Sequence, residues 1–331
     1  MPDLIECVPN FSEGRRLDVV DALAARVEST AGVHLLDRTS DRDHNRSVLT
    51  FAGRADGVTA AMEAAVEEAI ARIDMNVHEG QHPRIGAVDV IPFVPLGAST
   101  LDECVELAKV FGQRIAERFD LPVFLYANAA TRPERVKLAD IRRPQYEGLA
   151  EAMATPDFEP DFGPSTPHPT AGAVAVGARP FLIAYNINLE TDDVGLAKAI
   201  AKDVRESSGG LPRVQGLGLY LDDLGCAQVS MNLLDFKVTP IWKVWEAVES
   251  IASDVGVTLR ESELIGLAPV AALVDVADHV GVDSAVAVEE RITQAAKWLR
   301  MRDFDPSMAL ELRLAAAQAA THDATRDALT L

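Results

Sequence analysis

Cysteine is scarce in this chain. Cys7, Cys104 and Cys226 are odd in number and far apart, which fits neither a disulfide framework nor a paired thiolate metal site. They read as buried, reduced thiols. Positive charge is short as well: 31 Lys and Arg stand against 51 Asp and Glu, a formal net charge of −20. Nucleic acids and anionic membranes are held through lysine and arginine, so neither partner is expected. An anionic small molecule would need local arginines, and Arg46, Arg84, Arg179 and Arg213 are the candidates. No apolar run reaches the roughly 18 residues of a membrane helix. The start MPDLIECVPNF lacks a signal-peptide pattern. A soluble cytoplasmic protein, long enough for two domains, is expected.

Several catalytic signatures are absent too. QGLGLYL has only Gly216-x-Gly218 and no third glycine, so a dinucleotide fold is not indicated. There is no P-loop and no serine nucleophile elbow.

What is present is a periodic alternation of strands and helices. Strand DLIECV (3–8), helix 15–29, strands VHLLD (33–37) and RSVLTFAG (46–53), helix 55–73 and a strand near 87–94 follow one another. This is the β-α-β-β-α-β order of a ferredoxin-like unit, extended by helix 100–119 and strand 121–126. The second half repeats it, from strand 180–189 to strand VTLRESELIGLAP and helix AALVDVADHV. The fold class predicted is α+β, two ferredoxin-like subdomains with a ligand cleft or tunnel between them. Their boundaries fall at 1–178 and 179–310, with a C-terminal helical tail at 311–331. Between the halves, PDFEPDFGPSTPHPTAGAVAVGAR is dense in proline and glycine. Composition favours a linker, although Gly172 and Gly177 would let a ligand approach the backbone, and ligands prefer domain interfaces.

Residues 78–82 read HEGQH, the spacing that on a helix sets two imidazoles round zinc beside a glutamate base. Gly80 within the five residues and Pro83 directly after them oppose a helix. A loop is predicted instead, presenting His78, Glu79, His82 and Arg84, with no metal. Histidine suits proton transfer near neutral pH, so His82 is the candidate acid–base group.

ECVPNFSEG (6–14), DHNRSVLTFAG (43–53), HEGQHPRIGAVDVIPFVPL (78–96), DFGPS (161–165), VQGLGLYL (214–221) and AQVSMNLLDF (227–236) together resemble the glutamate formimidoyltransferase family, the formiminotransferase part of the formiminotransferase-cyclodeaminases, in a stand-alone form. The resemblance spans roughly residues 4–310. It implies transfer of the formimino group of N-formimino-L-glutamate to N5 of tetrahydrofolate, with tetrahydrofolate as co-substrate and His82 as the catalytic histidine. It also implies a folate-contacting segment made of Gly163, Pro164, Ser165, Thr166, Pro167, His168, Pro169, Thr170, Ala171 and Gly172. Relatives often carry a second aspartate two residues beyond Asp37. Here Thr39 stands there, with Asp41 or Asp43 as substitutes. The donor's carboxylates call for arginine forks, for which Arg46 and Arg84 are the candidates. Asn10, Asn186 and Asn188 are candidates to hydrogen-bond the pterin or amidine, and Asp37 completes the substrate-binding set. A homodimer is expected. A formylglutamate donor, and folate binding without catalysis, stay open on sequence alone.

Overall fold

The computed structural model describes residues 3–328. The chain divides into two compact units between Arg179 and Pro180, each mixed α and β around its own sheet.

The first unit runs β1 (Asp3–Cys7), β2 (Asn10–Phe11), α1 (Leu17–Glu28), β3 (Val33–Asp41), β4 (Arg46–Gly53), α2 (Ala55–Arg72), β5 (Val88–Gly97), α3 (Leu101–Phe119), β6 (Val123–Ala127), α4 (Leu138–Ile141), α5 (Gln145–Met153) and β7 (Val174–Ala178). β1 and β2 share one lane of the sheet, between β4 and β5. Pro9, which has no N–H to give the ladder, lies at the break between them. β3 pairs with the outer side of β4. Beyond β5 the sheet continues in parallel with β7 and then β6.

One face packs on α1, α2 and α3 through residues such as Phe11, Leu23, Phe51, Met62, Phe93 and Phe111. Phe93 and Phe111 meet edge to face, with ring centroids 5.3 Å apart. Burying each such side chain contributes about 2 kcal/mol. α3 starts cleanly because Thr100 and Glu103 form a reciprocal capping box. The opposite face of β5, β6 and β7 is covered by α4 and α5, through Val90, Phe124, Tyr126, Ile141, Leu149 and Met153. This second layer positions part of the site described below.

Two features depart from the sequence reading. The end of the proline- and glycine-dense stretch is no linker: β7 is wholly buried inside the sheet. A strand covered on both faces loses its polar alternation, so VAVGA carries no period-two signal. Helices α4 and α5 are also unanticipated; they are short, and proline and glycine interrupt them.

The second unit contains β8 (Ile183–Leu189), α6 (Val194–Val204), β9 (Val214–Leu221), β10 (Cys226–Leu233), α7 (Ile241–Asp254), β11 (Leu259–Ile265), α8 (Val270–His279), α9 (Val288–Trp298) and α10 (Leu310–Ala328). Its antiparallel sheet has the order β11-β8-β10-β9. Along β8, Ile183, Tyr185, Ile187 and Leu189 point into the core, which sends Asn186 and Asn188 to the other face. All three cysteines are free and buried, as expected.

Candidate active site

The histidine loop joins α2 to β5 and is irregular through residues 78–82. It has no helical face to bring His78 and His82 round one ion. Gly80 lets the loop lie against the one before β4: a Cβ there would sit 2.3 Å from the His44 carbonyl oxygen. Asn45 stitches the loops together. Its Nδ2 donates to the Glu79 carbonyl at 3.0 Å, and its Oδ1 accepts from the Gly14 amide at 2.9 Å. Asn45 has φ 47°, left-handed backbone that asparagine tolerates better than most residues.

His78 is half-buried and lines the same pocket as His82. Its Nε2 lies 3.0 Å from the Asn45 carbonyl oxygen, and its Nδ1 lies 3.2 Å from Arg84 Nε. A carbonyl only accepts and a guanidinium only donates, so Nε2 carries the hydrogen and Nδ1 spends its lone pair on Arg84. Arg84 is 4% exposed. It also donates to both Glu147 carboxylate oxygens, at 2.9 and 2.6 Å, and to the His78 carbonyl at 3.3 Å. Most of its donors are used within the protein, clamping the loop to α5.

His82 lies in a pocket with Asn10, Arg46 and Arg84, which His44 and Asp89 also line. The rings of His44 and His82 meet edge to face, centroids 6.0 Å apart. His44 Nδ1 is 2.7 Å from Asp41 Oδ2, and Asp41 Oδ1 accepts the amides of Asp43 and His44, each at 2.9 Å. Burial pushes the Asp41 carboxyl up, but these hydrogen bonds outweigh it and hold it below its ordinary value. Of the two carboxylates considered in place of the one missing at Thr39, Asp41 is therefore the one linked to the pocket. Asp43 offers its backbone.

Arg46 Nε donates to Asn10 Oδ1 at 2.7 Å, and Nη2 donates to the same oxygen. The Asn10 amide is oriented by its Nδ2, which donates to the Val8 carbonyl at 3.2 Å. Among the described residues Arg46 has no salt-bridge partner within 4.0 Å. Burial, and then the nearby Arg142 charge, lower its pKa to about 10, against opposing pulls from Asp89 and Asp41. A partly buried guanidinium with only an amide partner is a place for an anion. Burial, and then the charges of Arg46, Arg142 and His44, push His82 down to about 3. Its imidazole is neutral, and the surrounding positive charge opposes its protonation.

Asp89 is 2% exposed. One oxygen accepts the Ile85 amide at 2.9 Å, which fixes the backbone just after the histidine loop. The other holds Arg142, the residue that ends α4.

The remaining predicted residues lie elsewhere. Asp37 is in β3 opposite Thr50, outside the pocket lining. Asn186 and Asn188 belong to the second unit, where Asn186 Nδ2 reaches Glu263 at 3.4 Å and Asn188 Nδ2 reaches Glu261 at 3.0 Å. Gln228 donates to Asn188 Oδ1 at 2.9 Å, so these amides form a ladder across the sheet. Residues 163–172 end in a tight turn closed by His168 and Gly172, whose amides donate to each other's carbonyls at 2.8 and 3.1 Å. Gly172 has φ 70°, and a Cβ on it would lie 2.2 Å from the Ile85 carbonyl oxygen. The turn is pinned to both flanks of the histidine loop: the Met75 amide donates to Thr170, the Ala87 amide to Ala171, and Asn76 Nδ2 to Pro169.

Sequence reasoning missed His44, which lines the pocket, and Arg142, which grips Asp89 behind it. His44 stood in a polar loop beside two aspartates, which was a usable signal. Arg142 had none, because its position depends on the α4–α5 layer.

Residues 4–179 match the family model described as formiminotransferase domain, N-terminal subdomain, and residues 184–307 match the formiminotransferase domain. A glutamate formimidoyltransferase of Streptococcus pyogenes serotype M1 is 46% identical over 279 residues, which covers 84% of this chain and 93% of that protein. One from Thermoplasma acidophilum is 45% identical over 299 residues, 88% of this chain and 98% of that protein. The formimidoyltransferase-cyclodeaminase of Rattus norvegicus is 44% identical over 283 residues, and this chain spans 52% of its length. On both family models and on full-length relatives at this identity, the chain belongs to the formiminotransferase domain family.

Proposed function

We propose that this protein transfers the formimino group of N-formimino-L-glutamate to N5 of tetrahydrofolate and releases L-glutamate. The observation that carries the reading is the convergence of a neutral histidine, His82, with an arginine lacking a carboxylate partner, Arg46, in one pocket of a chain from this family. Tetrahydrofolate is the co-substrate, and no metal takes part in the proposed chemistry.

Arg46 receives a donor carboxylate, with Asn10 holding its guanidinium. N5 attacks the amidine carbon, forming the N5–C bond of a tetrahedral adduct. His82 accepts the proton that N5 must lose. It then returns a proton to the glutamate nitrogen as the C–N bond to that nitrogen breaks. One imidazole serves both steps. An anion on Arg46 offsets one of the charges that hold His82 down, so donor binding strengthens the base at the moment it is needed. Asp41, through His44, orients the pocket side of the loop. Arg84, on the pocket wall, shapes the loop through His78 and Glu147. The segment Gly163–Gly172 contacts the folate, a reading supported by its anchorage to both flanks of the histidine loop.

Each unit is also read as ferredoxin-like. In both sheets the fourth strand of the β-α-β-β-α-β series neighbours the first, then the third, then the second, which supports that assignment. Among the described residues no helix is long and apolar enough to cross a membrane. A cytoplasmic homodimer is proposed, with light scattering of the purified protein as its check.

The deciding experiment follows tetrahydrofolate spectrally with formiminoglutamate or formylglutamate as donor. Turnover with formiminoglutamate is expected. Turnover with formylglutamate alone would make the protein a formyltransferase, and binding of tetrahydrofolate without turnover would make it a binding protein.

A further inference from the structure

At and behind the pocket two guanidiniums, Arg46 and Arg142, repel each other, with Asp89 and Asp41 as the opposing charges on Arg46. Arg84 is neutralised by a bidentate contact with Glu147. Asp89 is paired with Arg142 and also attracts Arg46, and among the described residues no other carboxylate pairs with Arg142. Arg142 reaches Asp89 through Nη2 only. Its Nε is buried and has no hydrogen-bond partner among the described residues. A buried N–H without an acceptor costs free energy, and two like charges in one partly buried site repel. The Arg291–Asp278 pair of the second unit carries the first penalty as well; what sets Arg142 apart is the second guanidinium beside it. A site built for a dianion would carry both until its ligand arrived.

Packing and an ion pair hold Arg142 in place. Ile141 beside it is 2% exposed and packs with Phe124, Leu149 and Met153. Asp89 ties the same guanidinium, through its other oxygen, to the backbone that follows His82. Arg142 and the histidine loop are therefore fixed to one carboxylate.

We propose that Arg142 is a second cation of the donor site, taking one carboxylate of the donor while Arg46 takes the other, so that the pair selects a dicarboxylate over a monocarboxylate. This rests on the formiminoglutamate reading above and names a specificity residue for it. Arg142 acts by binding and positioning. The proton transfers stay with His82.

The test compares formiminoglutamate with N-formimino-L-glutamine, in which a neutral amide replaces the side-chain carboxylate. The wild-type protein, Arg142→Gln, Arg142→Lys and the double variant Asp89→Asn/Arg142→Gln are assayed. The double variant leaves no unpaired carboxylate behind and keeps an oxygen for the Ile85 amide. In the wild type the dicarboxylate is expected to be preferred in kcat/KM by about tenfold to a hundredfold. That preference should collapse in Arg142→Gln and in the double variant, with a higher KM for formiminoglutamate and an unchanged KM for tetrahydrofolate. Arg142→Lys should restore part of it. Retention of the wild-type preference in either variant lacking the arginine overturns the proposal, as does a parallel rise in both KM values. A wild-type protein that never turns over formiminoglutamate defeats the parent reading instead, and the two failures are distinct.

Discussion

Arg84 donates its Nε hydrogen to His78 Nδ1 across 3.2 Å, joining the first histidine of the loop to a guanidinium that is itself buried. Both histidines of HEGQH line the pocket, but the contact sets them apart: His78 has both ring nitrogens engaged in holding the loop, and His82 does not. Replacing Arg84 by alanine leaves the His78 lone pair and the Glu147 carboxylate without their donor. Lost charge-assisted hydrogen bonds of this kind cost about 1.5–3 kcal/mol each, less where the partner is solvated, as Glu147 is. Arg84→Ala should lower the thermal unfolding temperature by several degrees. An unchanged Tm with a raised KM for the donor would move Arg84 from the scaffold to substrate binding.

His82→Ala should reduce kcat by about 10²–10⁴-fold, the usual contribution of a positioned acid–base group. Tetrahydrofolate affinity and Tm should change little, because the half-buried ring fills no core position. His78→Ala should show the converse, a loss of stability with a smaller loss of turnover. Full turnover in His82→Ala would transfer the base role to another group, with His44 and Asp41 the first to examine.

Arg46→Ala should act mainly on the anionic donor. Leaving a desolvated carboxylate unpaired costs about 2–4 kcal/mol, roughly a thirty- to thousandfold change in affinity. Steady-state KM values for formiminoglutamate and tetrahydrofolate separate the effects, and unchanged donor kinetics would remove Arg46 from the site.

Chelators should leave activity intact. Both ring nitrogens of His78 are engaged, one as donor to Asn45 and one as acceptor from Arg84, so neither has a lone pair to offer an ion. Stoichiometric zinc in the purified protein, with activity lost on its removal, would reverse this.

Acid should destabilise the fold through His82. An imidazole with the ordinary pKa of 6.5 in the unfolded chain falls to about 3 when folded, chiefly by burial. Between these values the unfolded state holds the extra proton. Stability is therefore fully present above the unfolded pKa and drains as pH falls toward the folded one. His78, also lowered mainly by burial, adds in the same direction. Thermal melts at about pH 7 and about pH 5 should show a fall in Tm that is smaller in His82→Asn. Equal falls would show that the folded protein protonates His82 freely.

Much of this architecture follows from short-range rules. Period-two and helical patterns mark the strands and helices of both units, because burial on one face repeats every two or 3.6 residues whatever the partner. Gly80 and Pro83 decide against a helix at HEGQH by backbone sterics alone, and the zinc pattern fails without reference to the rest of the molecule. The family motifs carry His82 and Arg46 with them. What needed the tertiary structure depended on neighbours remote in sequence. β7 is a strand because β5 and β6 flank it, and burial on both faces erases its alternation. His78 differs from His82 because Asn45 and Arg84 reach one ring and not the other. Arg142 is joined to the pocket wall through Asp89, 53 residues away. Local conformation is set by covalent neighbours within a turn or two, whereas charge and hydrogen bonding depend on distances through space that only the folded chain defines.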